Sequence, residues 1–86
     1  MAERSVSVGS KVGLHARPAM LFTQAVAASG AKVTISRPGA AGVDASSILF
    51  VMGMGVAHGE EVVLAGDDEA VLDQLAAMLA TDLDAE

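Results

Sequence analysis

The sequence predicts an α+β fold, an open-faced two-layer sandwich in which a four-stranded antiparallel sheet carries three helices on one face. Three observations predict it. Short runs alternate apolar and polar residues, other runs repeat apolar residues at helical spacing, and the two kinds follow one another as β-α-β-β-α-β-α. Strands that are apolar on one side only suit an antiparallel sheet covered on one face and wet on the other. A chain of 86 residues, 52% hydrophobic, has room for one thin core, so residues 1–86 are expected to form a single domain.

Each element has its own signal. Ser5 to Val8 alternates, with Val6 and Val8 on one side and Ser5 and Ser7 on the other. Ala16 to Ser29 is helical in composition and stops at Gly30. Lys32 to Arg37 alternates again, with Val33 and Ile35 inward, before Pro38-Gly39 turns the chain and Gly42 to Ala45 returns as a hairpin partner. Ser46-Ser47 offers an N-cap for a short helix, Ile48 to Met52, ended by Gly53 and Gly55. Glu61 to Ala65 is the fourth strand. Asp67-Asp68 then suits a helix N-terminus, where carboxylates meet free N–H groups and the positive end of the dipole. Val71, Leu72, Leu75, Met78, Leu79 and Leu83 follow at helical spacing, and sixteen residues would span about 24 Å. Glu69, Asp73, Gln74 and Asp82 form the polar side of that helix.

Charge is divided along the chain. Before Val43 stand five bases (Arg4, Lys11, Arg17, Lys32, Arg37) and one acid, Glu3, a balance of +4; from Val43 onward ten acids and no base give −10, and the whole chain is −6. An anion site therefore belongs in the first half. Nucleic acid is not an expected partner, because the net charge is negative and Phe22 and Phe50 are the only aromatic residues. With no cysteine, thiolate catalysis and cysteine-ligated metals are excluded. No apolar run suggests membrane insertion or a secretory signal, which points to the cytoplasm. His58, in VAHGEE, reads as a surface residue of an acidic loop, and no metal or cofactor is expected. Gly53, Gly55 and Gly59 lack the Lys-Ser/Thr that a phosphate-binding loop requires.

The stretch VGLHARPAM, residues 12–20, carries the chemistry. With His15 as N-cap, Leu14 lies at N′, able to pack on Ala19 at N4, and Pro18 falls in the first turn, where its missing N–H costs nothing. The backbone N–H groups of Ala16 and Arg17 then turn past the imidazole and, with the helix dipole, favour an anion. The same positive end disfavours an imidazolium and keeps His15 nucleophilic near neutral pH. Arg17 adds planar donors that match a phosphate. A solvated capping histidine has the same local pattern, and spacing by itself does not separate it from a phosphoryl acceptor.

GLHARPA resembles the active-site segment of the HPr family, the phosphocarriers of the bacterial sugar phosphotransferase system. Chain length, element order and the second block SSILFVMGMG followed by GEEV extend the likeness over essentially the whole chain. The resemblance implies that His15 is phosphorylated on Nδ1, that Arg17 is its phosphate partner and that Ala16 supplies a backbone donor. It implies a monomeric phosphoryl carrier and not an independent catalyst, one that receives the group from enzyme I, itself charged by phosphoenolpyruvate, and delivers it to enzyme IIA domains. Met20, Leu21 and Gln24 on the first helix and Ile48, Leu49 and Met52 on the second are the expected partner surface, with Ala19, Phe22, Thr23 and Val26 toward the sheet.

Ser47 matches the family's regulatory serine, the substrate of HPr kinase/phosphorylase in some bacteria, and is a candidate phosphoserine. Ser46 duplicates the serine and Phe50 is bulkier than the regulated pattern, so a plain N-cap is the preferred reading. Val12 stands where polar residues are common in the family and removes one hydrogen bond near the histidine. Two other functions fit the same residues: an HPr-like carrier of another relay, nitrogen-related or serving dihydroxyacetone phosphorylation, and a regulatory adaptor that binds a kinase or transcription regulator. The intact His15-Ala16-Arg17 speaks against the adaptor. Following the His15 ring protons by NMR across pH tests the local argument: the ring is expected to titrate no higher than a free imidazole, and a pKa above that ordinary value contradicts it.

Overall fold

The computed structural model describes residues 2–9, 11, 13–14 and 16–81. Four strands and three helices follow in the expected order: β1 (Ala2–Ser7), α1 (Ala16–Ser29), β2 (Val33–Ser36), β3 (Val43–Asp44), α2 (Ile48–Gly53), β4 (Glu61–Gly66) and α3 (Glu69–Ala80). The strands lie in the order β1-β4-β2-β3, and every pairing is antiparallel.

Register explains the layers. Leu64 of β4 sits opposite Arg4 on one side and Ile35 on the other, and Gly66 opposite Ala2 and Val33. Val62, Leu64, Gly66, Val33 and Ile35 are buried on this face, whereas Glu3, Ser5, Ser7 and Glu61 on the other face are exposed. Against the buried face α1 contributes Pro18, Ala19, Phe22, Thr23 and Val26, and α3 contributes Leu72, Leu75 and Leu79. Fully burying a side chain such as Phe22 or Leu72 is worth about 1.5–3 kcal/mol, which is what fixes each helix face on the sheet.

The caps follow from local chemistry. Asp68 accepts the Val71 N–H at 3.2 Å and begins α3, with Glu69 in the first turn where negative charge is favoured. Ser47 accepts the Phe50 N–H at 3.4 Å and begins α2. Gly30, at φ +71°, ends α1 in the left-handed region that glycine adopts without strain.

Several boundaries differ from the sequence-based ones. β1 starts at Ala2, so Arg4 lies on the helix-facing side of the sheet edge; its guanidinium bonds Asp73 at 2.6 Å and Glu69 at 3.0 Å, and these α3 carboxylates make a charge tolerable there. Val8 is buried just past the strand's end. β2 stops at Ser36 because Arg37 turns aside to pair with Glu60. β3 keeps only Val43 and Asp44, and α2 continues one residue further, to Gly53. α3 spans 12 residues, about 18 Å, rather than sixteen; its backbone becomes extended at Thr81. Asp82 and Leu83 lie outside the described residues.

The link from β1 to α1 is held by backbone. Val8 N–H donates to the Glu60 carbonyl at 2.9 Å, Gly9 N–H to the Leu79 carbonyl at 2.8 Å and Leu14 N–H to the Val56 carbonyl at 3.0 Å. A Cβ on Gly9 would collide with the Ala80 carbonyl, and one on Gly13 with the Val56 carbonyl, while Gly13 also holds φ +71°. Gly30 has the same φ with open space around it. Gly30→Ala is therefore expected to cost roughly 1–2 kcal/mol from backbone strain, and Gly13→Ala about 3 kcal/mol or more because steric overlap adds to it. Urea unfolding of both variants tests this, and equal losses would contradict it.

Candidate functional site

α1 opens at Ala16, immediately after the pinned link. Ala16 and Arg17 are exposed in its first turn, while Pro18 is buried beneath them. Leu14 and Ala19, the expected staple pair, both belong to the buried core. The helix start is thus anchored from below by apolar packing and presents its polar end outward. His15 and Val12 fall outside the described residues.

Next to that end lies an apolar surface built by two helices. Met20 is 42% exposed and Gln24 is exposed, whereas Leu21 is half-buried. α2 packs against α1 and turns out Ile48, Leu49, Phe50 and Met52, of which Leu49, at 81%, is the most open. One residue in this set, Phe50, was not anticipated: it is 57% exposed and supplies the surface with its one aromatic ring. Val51 alone of α2 is buried, so a helix of six residues is fastened by a single side chain and gives its remaining apolar residues to the surface.

No charged residue occurs in segments 18–31 or 45–57. The exposed parts of α1 and α2 therefore carry one charge, that of Arg17 at the amino end of α1, although the chain as a whole is strongly acidic. Among the described residues the carboxylates are elsewhere: Glu3 on β1, Asp44 on β3, Glu60 just before β4 and Glu61 in it, Asp67 and Asp68 ahead of α3, and Glu69 and Asp73 on α3.

Ser47 is half-buried and its hydroxyl oxygen caps α2. Ser46 is engaged otherwise, its N–H and hydroxyl both donating to Asp44 Oδ1, at 2.9 and 2.7 Å. These bonds, the hydroxyl first, hold the Asp44 carboxyl below the ordinary carboxylate range. His58 is exposed in the turn before β4. Among the described residues no group of three or more His, Asp or Glu side chains could hold a metal ion, and no helix is long and apolar enough to cross a membrane.

That turn is braced by a carboxylate with two partners. Glu60 accepts from Arg37 Nε at 3.0 Å and Nη2 at 3.3 Å, and from the Ala57 N–H at 2.6 Å. The Arg37 guanidinium, and after it the Ala57 N–H, hold the Glu60 carboxyl below its usual range. A carboxyl so depressed on folding stabilises the protein fully above the unfolded-state value and loses that contribution as pH falls through the folded one. Glu60→Gln is accordingly expected to be less stable than the native chain at pH 7, with the gap closing on the acid side of the glutamate range. Urea midpoints of both proteins from pH 7 to pH 3 test it, and a gap that persists at pH 3 contradicts it.

Comparison with known proteins places the chain in a family along nearly its whole length. Residues 2–81 match the family model described as "PTS HPr component phosphorylation site". The chain is 48% identical over 87 aligned positions to the phosphocarrier protein HPr of Streptomyces coelicolor, with 98% of this chain and 94% of the relative covered. It is 45% identical to the phosphocarrier protein HPr of Haloferax volcanii, covering 92% and 93%. Among solved structures, HPr-C-His from Thermoanaerobacter tengcongensis superposes with a TM-score of 0.88 at 29% identity, over 100% of this chain and 99% of that one.

Proposed function

The chain belongs to the HPr family of phosphotransferase-system phosphocarriers, and from that premise we propose that His15 accepts a phosphoryl group from enzyme I and passes it to an enzyme IIA domain in sugar uptake. The observation that carries this reading is the start of α1: the residue after His15 opens the helix, Arg17 is exposed in its first turn, and the exposed Met20 follows one turn on, with α2 packed against the same helix.

The chemistry follows from that arrangement. His15 Nδ1 offers its lone pair to phosphorus; a P–N bond forms while the bond to enzyme I breaks, and the electron pair of that bond leaves with the donor. The group delivered is dianionic, and the helix N-terminus with the Ala16 N–H and the Arg17 guanidinium supplies the compensating positive charge. Delivery to the enzyme IIA domain repeats the step in reverse at the same nitrogen. Phosphoryl transfer depends on position and charge stabilisation, and here each partner completes a half-built site, so the chain acts as a carrier and needs no cofactor of its own.

Met20, Leu21, Gln24, Ile48, Leu49 and Met52, joined by Phe50, form the docking face in this reading. A surface without charge needs no matched carboxylate or amine on the partner, and methionine adapts to unlike surfaces, which suits a protein that must meet enzyme I and enzyme IIA domains in turn.

Incubation with phosphoenolpyruvate and a competent enzyme I, read by intact mass and phosphorus NMR, tests the proposal. The native chain is expected to gain one acid-labile phosphoryl group and His15→Ala none. Arg17→Ala is expected to accept the group on the order of 10²-fold more slowly. A native chain left unmodified, or a His15→Ala protein that is still modified, overturns the assignment.

A further inference from the structure

The chain has no cysteine, tryptophan or tyrosine, so its methionine thioethers are its most readily oxidised groups. Their distribution is uneven. Met20 and Met52 are 42% and 41% exposed, whereas Met54 and Met78 are partly buried. The fully buried core, drawn from Val8, Leu14, Phe22, Ile35, Leu72 and their neighbours, contains no methionine among the described residues. An oxidant that reaches the open thioethers thus changes a surface and leaves the packing intact.

The surface it changes is the apolar one. Met20 lies one turn beyond Arg17 on α1, and Met52 ends the row that Ile48 and Leu49 begin on α2. We infer that Met20 and Met52 are a reversible oxidation site that switches this face between docking and non-docking forms. A peroxide transfers one oxygen to each thioether: the O–O bond breaks, an S=O bond forms, sulfur loses two electrons and water leaves. The sulfoxide is a strong acceptor with no donor opposite it on an apolar partner surface, and burying it there is unfavourable. A methionine sulfoxide reductase returns the thioether, with two electrons from a pair of thiols that close to a disulfide as water is released. The inference rests on the docking reading above and adds a condition to it.

The test treats the whole protein with dilute hydrogen peroxide and follows three readouts. Peptide mapping is expected to find +16 Da on Met20 and Met52 well before Met54 and Met78, with an unchanged circular dichroism spectrum. The KM of enzyme I for the oxidised chain is expected to rise about tenfold, and to return after treatment with methionine sulfoxide reductases. The ratio of KM after and before peroxide, taken within each protein, is expected to fall to near one in Met20→Leu/Met52→Leu and to stay near tenfold in Met54→Leu/Met78→Leu. Oxidation of Met54 or Met78 first, loss of the fold, or an unchanged KM overturns the inference. Failure of the untreated chain to accept phosphate marks failure of the carrier reading instead.

Discussion

Close backbone contact at Gly9 and Gly13 is the constraint on which the other parts depend. At these two points the link between β1 and α1 runs so near the end of α3 and the carbonyl of Val56 that only glycine fits. Three distant pieces of chain are thereby locked to one another by N–H to carbonyl bonds rather than by adaptable side chains. The start of α1 inherits that rigidity, which the proposed phosphoryl transfer would use, because donors a fraction of an ångström out of place lose much of their effect.

The same economy governs charge. The carboxylates serve caps and braces: Asp68 begins α3, Glu69 and Asp73 hold Arg4, Glu60 joins Arg37 to the turn before β4, and Asp44 orders the approach to α2. None of these pairs is deeply buried, so each contributes modestly and most by fixing geometry. With the acids occupied on α3, the sheet edge and the turns, the outer sides of α1 and α2 are left neutral.

Much of this was legible in the sequence, and the parts that were not share a cause. α1 could be bounded because Gly30 gives an unambiguous stop and because Ala19, Phe22 and Val26 keep one helical face; the outward turn of Met20 follows from the same spacing. Arg4 could not be placed inward, since its acceptors on α3 are more than sixty positions away. The spacing carries α3 on through Leu83, whereas the backbone is extended at Thr81, next to the Leu79 carbonyl that accepts from Gly9 at the opposite end of the chain. Phe50 was missed as a surface residue because a helix of six residues is too short for periodicity to name its buried side. Local pattern gave the elements, and contacts remote in sequence decided their ends.

The strand order has a consequence for how the molecule comes into being. β4 is inserted between β1 and β2, so of the first three strands only β2 and β3 can meet before residue 66 has been made, and they share two paired positions. β1 waits with its apolar side uncovered while some sixty residues are added, which at 5–20 residues per second takes about 3–12 seconds. Folding is therefore a late, nearly whole-chain event, limited by the closing of a long loop. The pinned link that steadies α1 closes only when α3 is in place to receive Gly9, and a ribosome that stalls short of α3 holds a chain with its chemistry written and no frame to support it.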